Sequence, residues 1–390
     1  MSPLRTSARF DSLPPYPLAG MKEIRQRLSA RGVDVLDLGA GDADLAPPPG
    51  AAEALAAAAL DPAFSRYPFQ AGLMAFREAV AAFMDRRFGV RVDPVTEVLP
   101  LLGSKDGIAH LPLALMNEGD AAVIPDPGYQ AYVGGVTLAG GEPHLVPLRP
   151  EHDFLIPLDD LDADVAARTR LLYLNYPNNP TAASAPDRHF EDAIAWCARR
   201  DAVLVHDNAY SEIAFDGYRP RSILEFEGAR DHAIEFHSLS KTYNMTGWRI
   251  GWAVGNAEIV GALSRVKSFM DTGVFLAVQA AAVAALESWA SWVPGNVAVF
   301  QGRRDAAVAG LRKAGFDATA PRATMYLWVP VPSGEPSADF ATRALSDEGV
   351  IVMPGSALGA GGEGFFRIAL TVSEERLAEA ALRLGRVARG

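Results

Sequence analysis

Among its 390 residues the chain holds one cysteine, Cys197, and only five lysines. A single thiol forms no intrachain disulfide and no cysteine-rich metal cage. It sits in the apolar helical stretch 193–198, where an inert buried thiol is expected. A basic surplus is also missing: 36 lysines and arginines stand against 47 acids, a formal net charge of −11. Sequence-blind binding to nucleic acid, or adhesion to an anionic membrane, needs the opposite sign. Long apolar runs are absent. The longest uncharged one, Gly273 to Leu286, is interrupted by Gln279 and falls short of the roughly 20 residues that span a bilayer. Met1 to Gly20 has no continuous apolar core, so neither a signal peptide nor an anchor is expected there. The seven histidines are scattered without a His-x-x-x-His pair, and no metal site is expected. These absences point to a soluble protein of a reducing compartment, the cytoplasm.

What is present is alternation. Short apolar runs at Val98–Leu102, Ala121–Ile124, His144–Pro147, Leu171–Leu174, Ala202–His206, Ala233–Phe236 and Ile250–Val254 read as seven strands. Amphipathic segments such as Asp187–Arg199 and Glu258–Phe269 lie between them. Buried strands alternating with crossover helices predict an α/β fold around a mostly parallel seven-stranded sheet, with ligands outside the carboxyl ends of the strands. After Val274 an alanine-rich helix leads through Trp292–Pro294 into further helix. Strands at Met325–Val331, Val350–Met353 and Gly364–Leu370 follow, then a last helix, Glu374–Arg389. That pattern predicts a smaller α+β domain. The division expected is a large domain over 48–281, a small one over 282–390, and an N-terminal segment 1–47 packing with the small domain.

Chemistry concentrates just past the strands. In His237-Ser-Leu-Ser-Lys-Thr-Tyr-Asn-Met-Thr-Gly-Trp-Arg249, Lys241 is presented at a sheet edge beside Ser238, Ser240 and Arg249. A neighbouring fixed cation disfavours the ammonium form, which suits an amine nucleophile toward an aldehyde; arginine could not serve. Two hydroxyls and a guanidinium suit a phosphate dianion. Aldehyde and phosphate on one ligand suggest pyridoxal 5′-phosphate (PLP). Asp207 closes the β-branched run Val203-Leu-Val-His and suits a pyridinium partner, although a helix N-cap explains it equally well. Tyr210 could hydrogen-bond a ring phenolate. In Asn175-Tyr-Pro-Asn-Asn-Pro-Thr181, Asn178 and Asn179 supply neutral amide donors. Ser104 and Lys105, in Gly103-Ser-Lys-Asp-Gly107, open a helix whose N-terminal amides could approach a phosphate.

Taken in order, these segments resemble the class I/II aminotransferases, PLP enzymes of fold type I. Leu38-Gly-Ala-Gly-Asp42, Tyr67-Pro-Phe-Gln-Ala-Gly72, Asp126-Pro-Gly-Tyr129, Ala323-Thr-Met-Tyr-Leu-Trp328 and Gly362-Glu-Gly-Phe-Phe-Arg367 extend the likeness over nearly the whole chain. The resemblance implies that Lys241 is the Schiff-base lysine, Asp207 the pyridinium partner, and Asn179 and Tyr210 the ring-oxygen donors. It implies a phosphate cup of Ser104, Lys105, Ser238, Ser240 and Arg249. Tyr129 would stack on the ring, and Arg367 with Gly41 would bind the substrate α-carboxylate beside Asn179. Tyr67 would reach the phosphate of a neighbouring subunit, which implies a homodimer. Two family positions differ: Ala182 replaces a glycine and Ala43 a proline.

The activity implied is transfer of an amino group between an L-amino acid and a 2-oxo acid. The likeness is greatest to the LL-diaminopimelate and alanine/aspartate aminotransferases, with 2-oxoglutarate as acceptor. Lys105 could read a distal substrate carboxylate, or serve only the phosphate. A carbon–sulfur β-lyase on the same fold is the alternative. A transcription-regulator variant would need a DNA-binding module before Leu36, where about 35 residues leave no room.

Overall fold

The computed structural model describes residues 4–14, 21–30, 32–332 and 334–389. Parts of the expectations for Met1 to Gly20 and for segment 1–47 therefore lie outside the described residues. The strands in chain order are β1 (Leu36–Asp37), β2 (Val98–Leu101), β3 (Ala121–Asp126), β4 (Glu142–Pro147), β5 (Thr169–Leu174) and β6 (Val203–Asp207). They continue with β7 (Ala233–Ser238), β8 (Gly251–Gly255), β9 (Tyr326–Pro330), β10 (Val350–Ile351), β11 (Met353–Pro354) and β12 (Phe365–Ala369).

Seven of them form one sheet in the order β2-β8-β7-β6-β5-β3-β4. Only β8 runs against its neighbours, β2 and β7; the other pairings are parallel. Both faces are covered, which is why the inner strands are largely apolar rather than alternating, while the edge strand β4 is mostly unburied. Leu171 and Tyr173 of β5 enter the layer of helices Ser104–Leu115, Gln130–Ala139 and Ala257–Met270. Leu172 and Leu174 enter the opposite layer, with Met74–Phe88, Asp187–Ala198 and Leu276–Glu287. Each large apolar side chain so buried contributes roughly 1.5–3 kcal/mol.

A second, antiparallel sheet, β11-β12-β9, packs with helices Trp289–Lys313, Ser337–Glu348 and Glu374–Arg389 around Phe300, Phe340 and Phe366. Beside it β1 pairs in parallel with β10, Leu36 opposite Val350. The Leu38 carbonyl then accepts the Ala369 amide at 2.8 Å.

Two details differ from expectation. The break falls at Ser288, where the two helices turn by 82°, and not at Trp292–Pro294. Pro294 costs one backbone hydrogen bond inside the second helix without ending it. The run Val350–Met353 splits at Val352, because its first half pairs with β1 and its second half with β12. Among the described residues no single helix is long and apolar enough to cross a membrane. Cys197 is fully buried, and burial pushes its thiol up to about 12.

Candidate active site

Parallel strands bring their carboxyl ends to one edge, and β2, β3, β5, β6 and β7 each deliver a turn there. Lys241 lies in the short helix Leu239–Thr242 after β7, capped by Ser238, whose hydroxyl accepts the Ser240 amide at 3.1 Å. Arg249 arrives differently: it precedes its strand. Only because β8 is reversed does its start lie at the same edge. A left-handed backbone, φ +53°, aims the guanidinium inward, where it donates to the Thr246 carbonyl at 2.8 Å and the Leu102 carbonyl at 3.2 Å.

The result is a cavity of 330 Å³ lined by Gly41, Ser104, Lys105, Tyr129, Asn179, Asp207, Tyr210, Ser238, Ser240, Lys241, Arg249 and Arg367. Twelve of the thirteen residues to which the resemblance gives a site role thus meet in one place. Tyr67 does not. It is 74% exposed, away from the cavity of its own chain, with its ring 6.3 Å from that of Phe69.

The Lys241 ammonium donates to the Gly41 carbonyl. Gly41 is required by close approach, since a Cβ there would collide with the Tyr326 hydroxyl. Arg367, on β12, donates to the Asn179 side-chain oxygen and to the Gly39 carbonyl, each at 2.7 Å. Its guanidinium lies 4.3 Å from the Tyr326 ring centre, a cation–π arrangement. The Tyr210 hydroxyl donates to that of Tyr326 at 3.3 Å. Burial would raise the Tyr326 phenol, but Arg367 and Lys241 outweigh it and hold the group below its ordinary value. Burial pushes the Asp207 carboxyl up to about 6, against the Tyr132 hydroxyl, which donates to its Oδ2 at 2.8 Å.

These residues fit PLP. The test lies in Asp207: its Oδ1 is buried and has no hydrogen-bond partner, an acceptor left over at the cavity floor. A pyridinium N–H is a donor that such an acceptor suits. The phosphate end passes as well. Gly103 has φ +78°, and a Cβ there would strike Arg249, so the Ser104 turn and the guanidinium close into one anion cradle.

The sequence reading missed three groups. Tyr132, three residues after Tyr129 and therefore on the same helix face, supports Asp207. Asn175 ties the loop to the strand: its side chain donates to the Asp207 carbonyl at 2.7 Å and accepts the Asn179 amide at 2.8 Å. Tyr326 stood inside a quoted motif without a role. His206 turns to the other face of the sheet from Asp207, where it contacts Glu235 at 2.8 Å and the Tyr176 carbonyl at 3.1 Å.

The chain matches the family model for aminotransferase class I and II over residues 33–384. It is 47% identical over 388 residues to the LL-diaminopimelate aminotransferase of Nitratidesulfovibrio vulgaris (strain DP4), covering 99% of this chain and 100% of the relative. It is likewise 47% identical over 376 residues to that of Syntrophobacter fumaroxidans, covering 96% and 97%. Among solved structures it resembles substrate-bound BacF from Bacillus subtilis, with a TM-score of 0.94, 34% identity and coverage of 99% and 98%. A probable N-succinyldiaminopimelate aminotransferase from Thermus thermophilus gives 0.89, 37%, 94% and 98%. These relatives favour amino transfer over the β-lyase alternative. Match, identity and fold agree with a lysine-bearing cavity at the strand ends: the chain belongs to the class I and II aminotransferases, which work with PLP.

Proposed function

We propose that the enzyme takes the amino group of LL-diaminopimelate and delivers it to 2-oxoglutarate. The observation that carries the donor is identity of 47% across the full length of a relative named LL-diaminopimelate aminotransferase; 2-oxoglutarate as acceptor follows from the family resemblance. Bound PLP supplies an aldehyde carbon for the amino group and a ring that withdraws electrons from the substrate Cα. Asp207 would pair with the ring nitrogen, and Tyr210 and Asn179 would donate to the ring oxygen. Tyr129 would lie against the ring, and Ser104, Lys105, Ser238, Ser240 and Arg249 would hold the phosphate. Arg367, with the Gly41 backbone beside it, clamps the α-carboxylate so that the Cα–H bond faces Lys241. Lys241, at that face, would be the group that moves the proton off the substrate Cα. A positioned proton-transfer group is worth roughly 10²–10⁴-fold, and Lys241→Ala also loses its hold on the cofactor.

The test is glutamate formation from LL-diaminopimelate and 2-oxoglutarate, beside aspartate and alanine as donors. LL-diaminopimelate is expected to give the highest kcat/KM, and Lys241→Ala no multiple turnover. A higher value for aspartate or alanine overturns the substrate assignment, and normal turnover by the variant overturns the role of the lysine.

The cytoplasm suits this metabolic role, and a homodimer suits the exposed apolar side chains near Tyr67. Phe69 is 63% exposed and Met270 53%, and the backbones of Phe69 and Gly273 are in contact. In the dimer Tyr67 would donate its hydroxyl to the partner's phosphate. Tyr67→Phe is expected to weaken PLP binding about tenfold, the loss of one charge-assisted hydrogen bond, without altering the sedimentation coefficient. A fully active monomer in sedimentation would end this reading.

A further inference from the structure

Lys267 is the most deeply buried of the described lysines, with no exposed surface, on the helix Ala257–Met270. Its ammonium donates to Asp106 and, at 2.7 Å, to Asp271. Asp106 is the third residue of the helix that Ser104 opens, and it shares Leu102 with the cradle: Arg249 donates to the Leu102 carbonyl. Its Oδ2 also accepts the Leu102 amide at 2.9 Å, and its Oδ1 lies 2.8 Å from His110 Nδ1. One carboxylate therefore ties the strand end, the turn and the helix start together. Burial would raise this carboxyl, but His110 and Lys267 outweigh it and hold it below the ordinary carboxylate range. Asp271 accepts the Gly273 amide at 2.6 Å, so the second carboxylate anchors the following loop.

The arrangement contains a conflict. A phosphate dianion belongs at this helix start, and a carboxylate fixed three residues into the helix repels it. Resting on the PLP reading, we infer that Lys267 is a positioning residue whose charge cancels that of Asp106, so that Asp106 can brace the phosphate turn without repelling the cofactor phosphate. A lysine fits where an arginine would not: two carboxylates converge on one compact ammonium in a fully buried space.

Two double variants of equal formal charge test this. Lys267→Met with Asp271→Asn leaves Asp106 uncompensated; Lys267→Met with Asp106→Asn leaves only Asp271. Dissociation constants are measured by quenching of intrinsic fluorescence, for PLP and for pyridoxal, which lacks the phosphate. PLP is expected to bind the first variant about tenfold more weakly than the second, with pyridoxal equal within about twofold. Equal PLP constants overturn the inference, and so does parallel weakening of pyridoxal, which would mean that the lysine serves only the fold. Should either double variant fail to fold, the single variants Asp106→Asn and Asp271→Asn carry the same comparison with Lys267 retained. Asp106 then stays paired in Asp271→Asn, so PLP should bind the two single variants alike within about threefold, and PLP bound about tenfold more weakly by Asp271→Asn, with pyridoxal unchanged, overturns the inference. Failure of wild type to bind PLP at all would instead remove the PLP reading itself.

Discussion

A buried carboxylate can accept several hydrogen bonds, and the Asp207 side chain accepts one from a neighbouring side chain, from Tyr132. That shortage lets burial push its carboxyl up to about 6. The sign follows. The raised value favours the cofactor-free protein at low pH, an advantage lost as pH rises through about 6. A protonated pyridine nitrogen pairs with the ionised form, so PLP affinity should rise with pH and level off above about 6. Tyr132→Phe removes the one hydroxyl that lowers the value. Titration of PLP binding against pH should show the levelling-off displaced upward and affinity at neutral pH reduced about tenfold. An unchanged profile would mean that another group governs it. At this scale the cavity residues were legible, Lys241 and Arg249 from aldehyde and phosphate chemistry and Tyr129, Gly41 and Arg367 through the family resemblance. Their supports were not: Tyr132 and Asn175 look like an ordinary core tyrosine and an ordinary loop asparagine until the distances to Asp207 are known.

At the scale of the element, the loop over residues 175–182 carries a residue that its backbone disfavours. Ala182 has φ +57°, in the left-handed region where a Cβ crowds the following carbonyl, and its amide is fixed to the Asn178 carbonyl at 3.0 Å. Glycine, the family's residue there, relieves that crowding but loosens the unfolded chain. The net gain for Ala182→Gly is expected to be about 0.5–1 kcal/mol, read as a higher urea midpoint at unchanged slope. A lower midpoint would show that the buried methyl matters more than the backbone. The seven main strands were legible from their apolar runs, because both faces are covered and most positions of the inner strands are apolar. The reversal of β8 was not. Apolar composition carries no direction, and the role of Arg249 depends on that direction.

Across the whole molecule, a second buried polar group stabilises the sheet without touching the cavity. Glu235 of β7 takes His206 at 2.8 Å and His237 at 2.6 Å, the Ser222 hydroxyl at 2.9 Å and the Ile223 amide at 2.7 Å. Burial would raise its carboxyl; the two histidines outweigh that and depress it strongly. Its contribution is therefore present above the unfolded value of 4.5 and lost as pH falls through the depressed folded value. Glu235→Gln should cost about 3 kcal/mol at neutral pH in urea unfolding, and the gap to wild type should narrow in acid. A gap independent of pH would contradict this account. The large sheet and the smaller antiparallel one were legible as a change in pattern after Val274. How the chain's start completes the site came only through the family resemblance, because its contacts span 259 positions or more. The Gly39 carbonyl meets Arg367, Leu38 meets Ala369, and Asp44 meets Arg303 at 2.6 Å. This has a consequence for biosynthesis. Residues translated among the first wait for residues translated among the last, so a nascent or C-terminally truncated chain can shape the phosphate cradle yet has no clamp for a substrate. Premature termination before Arg367 would remove the clamp together with Ile368, Leu377 and Leu384 of the smaller core, and such a chain is expected to turn nothing over.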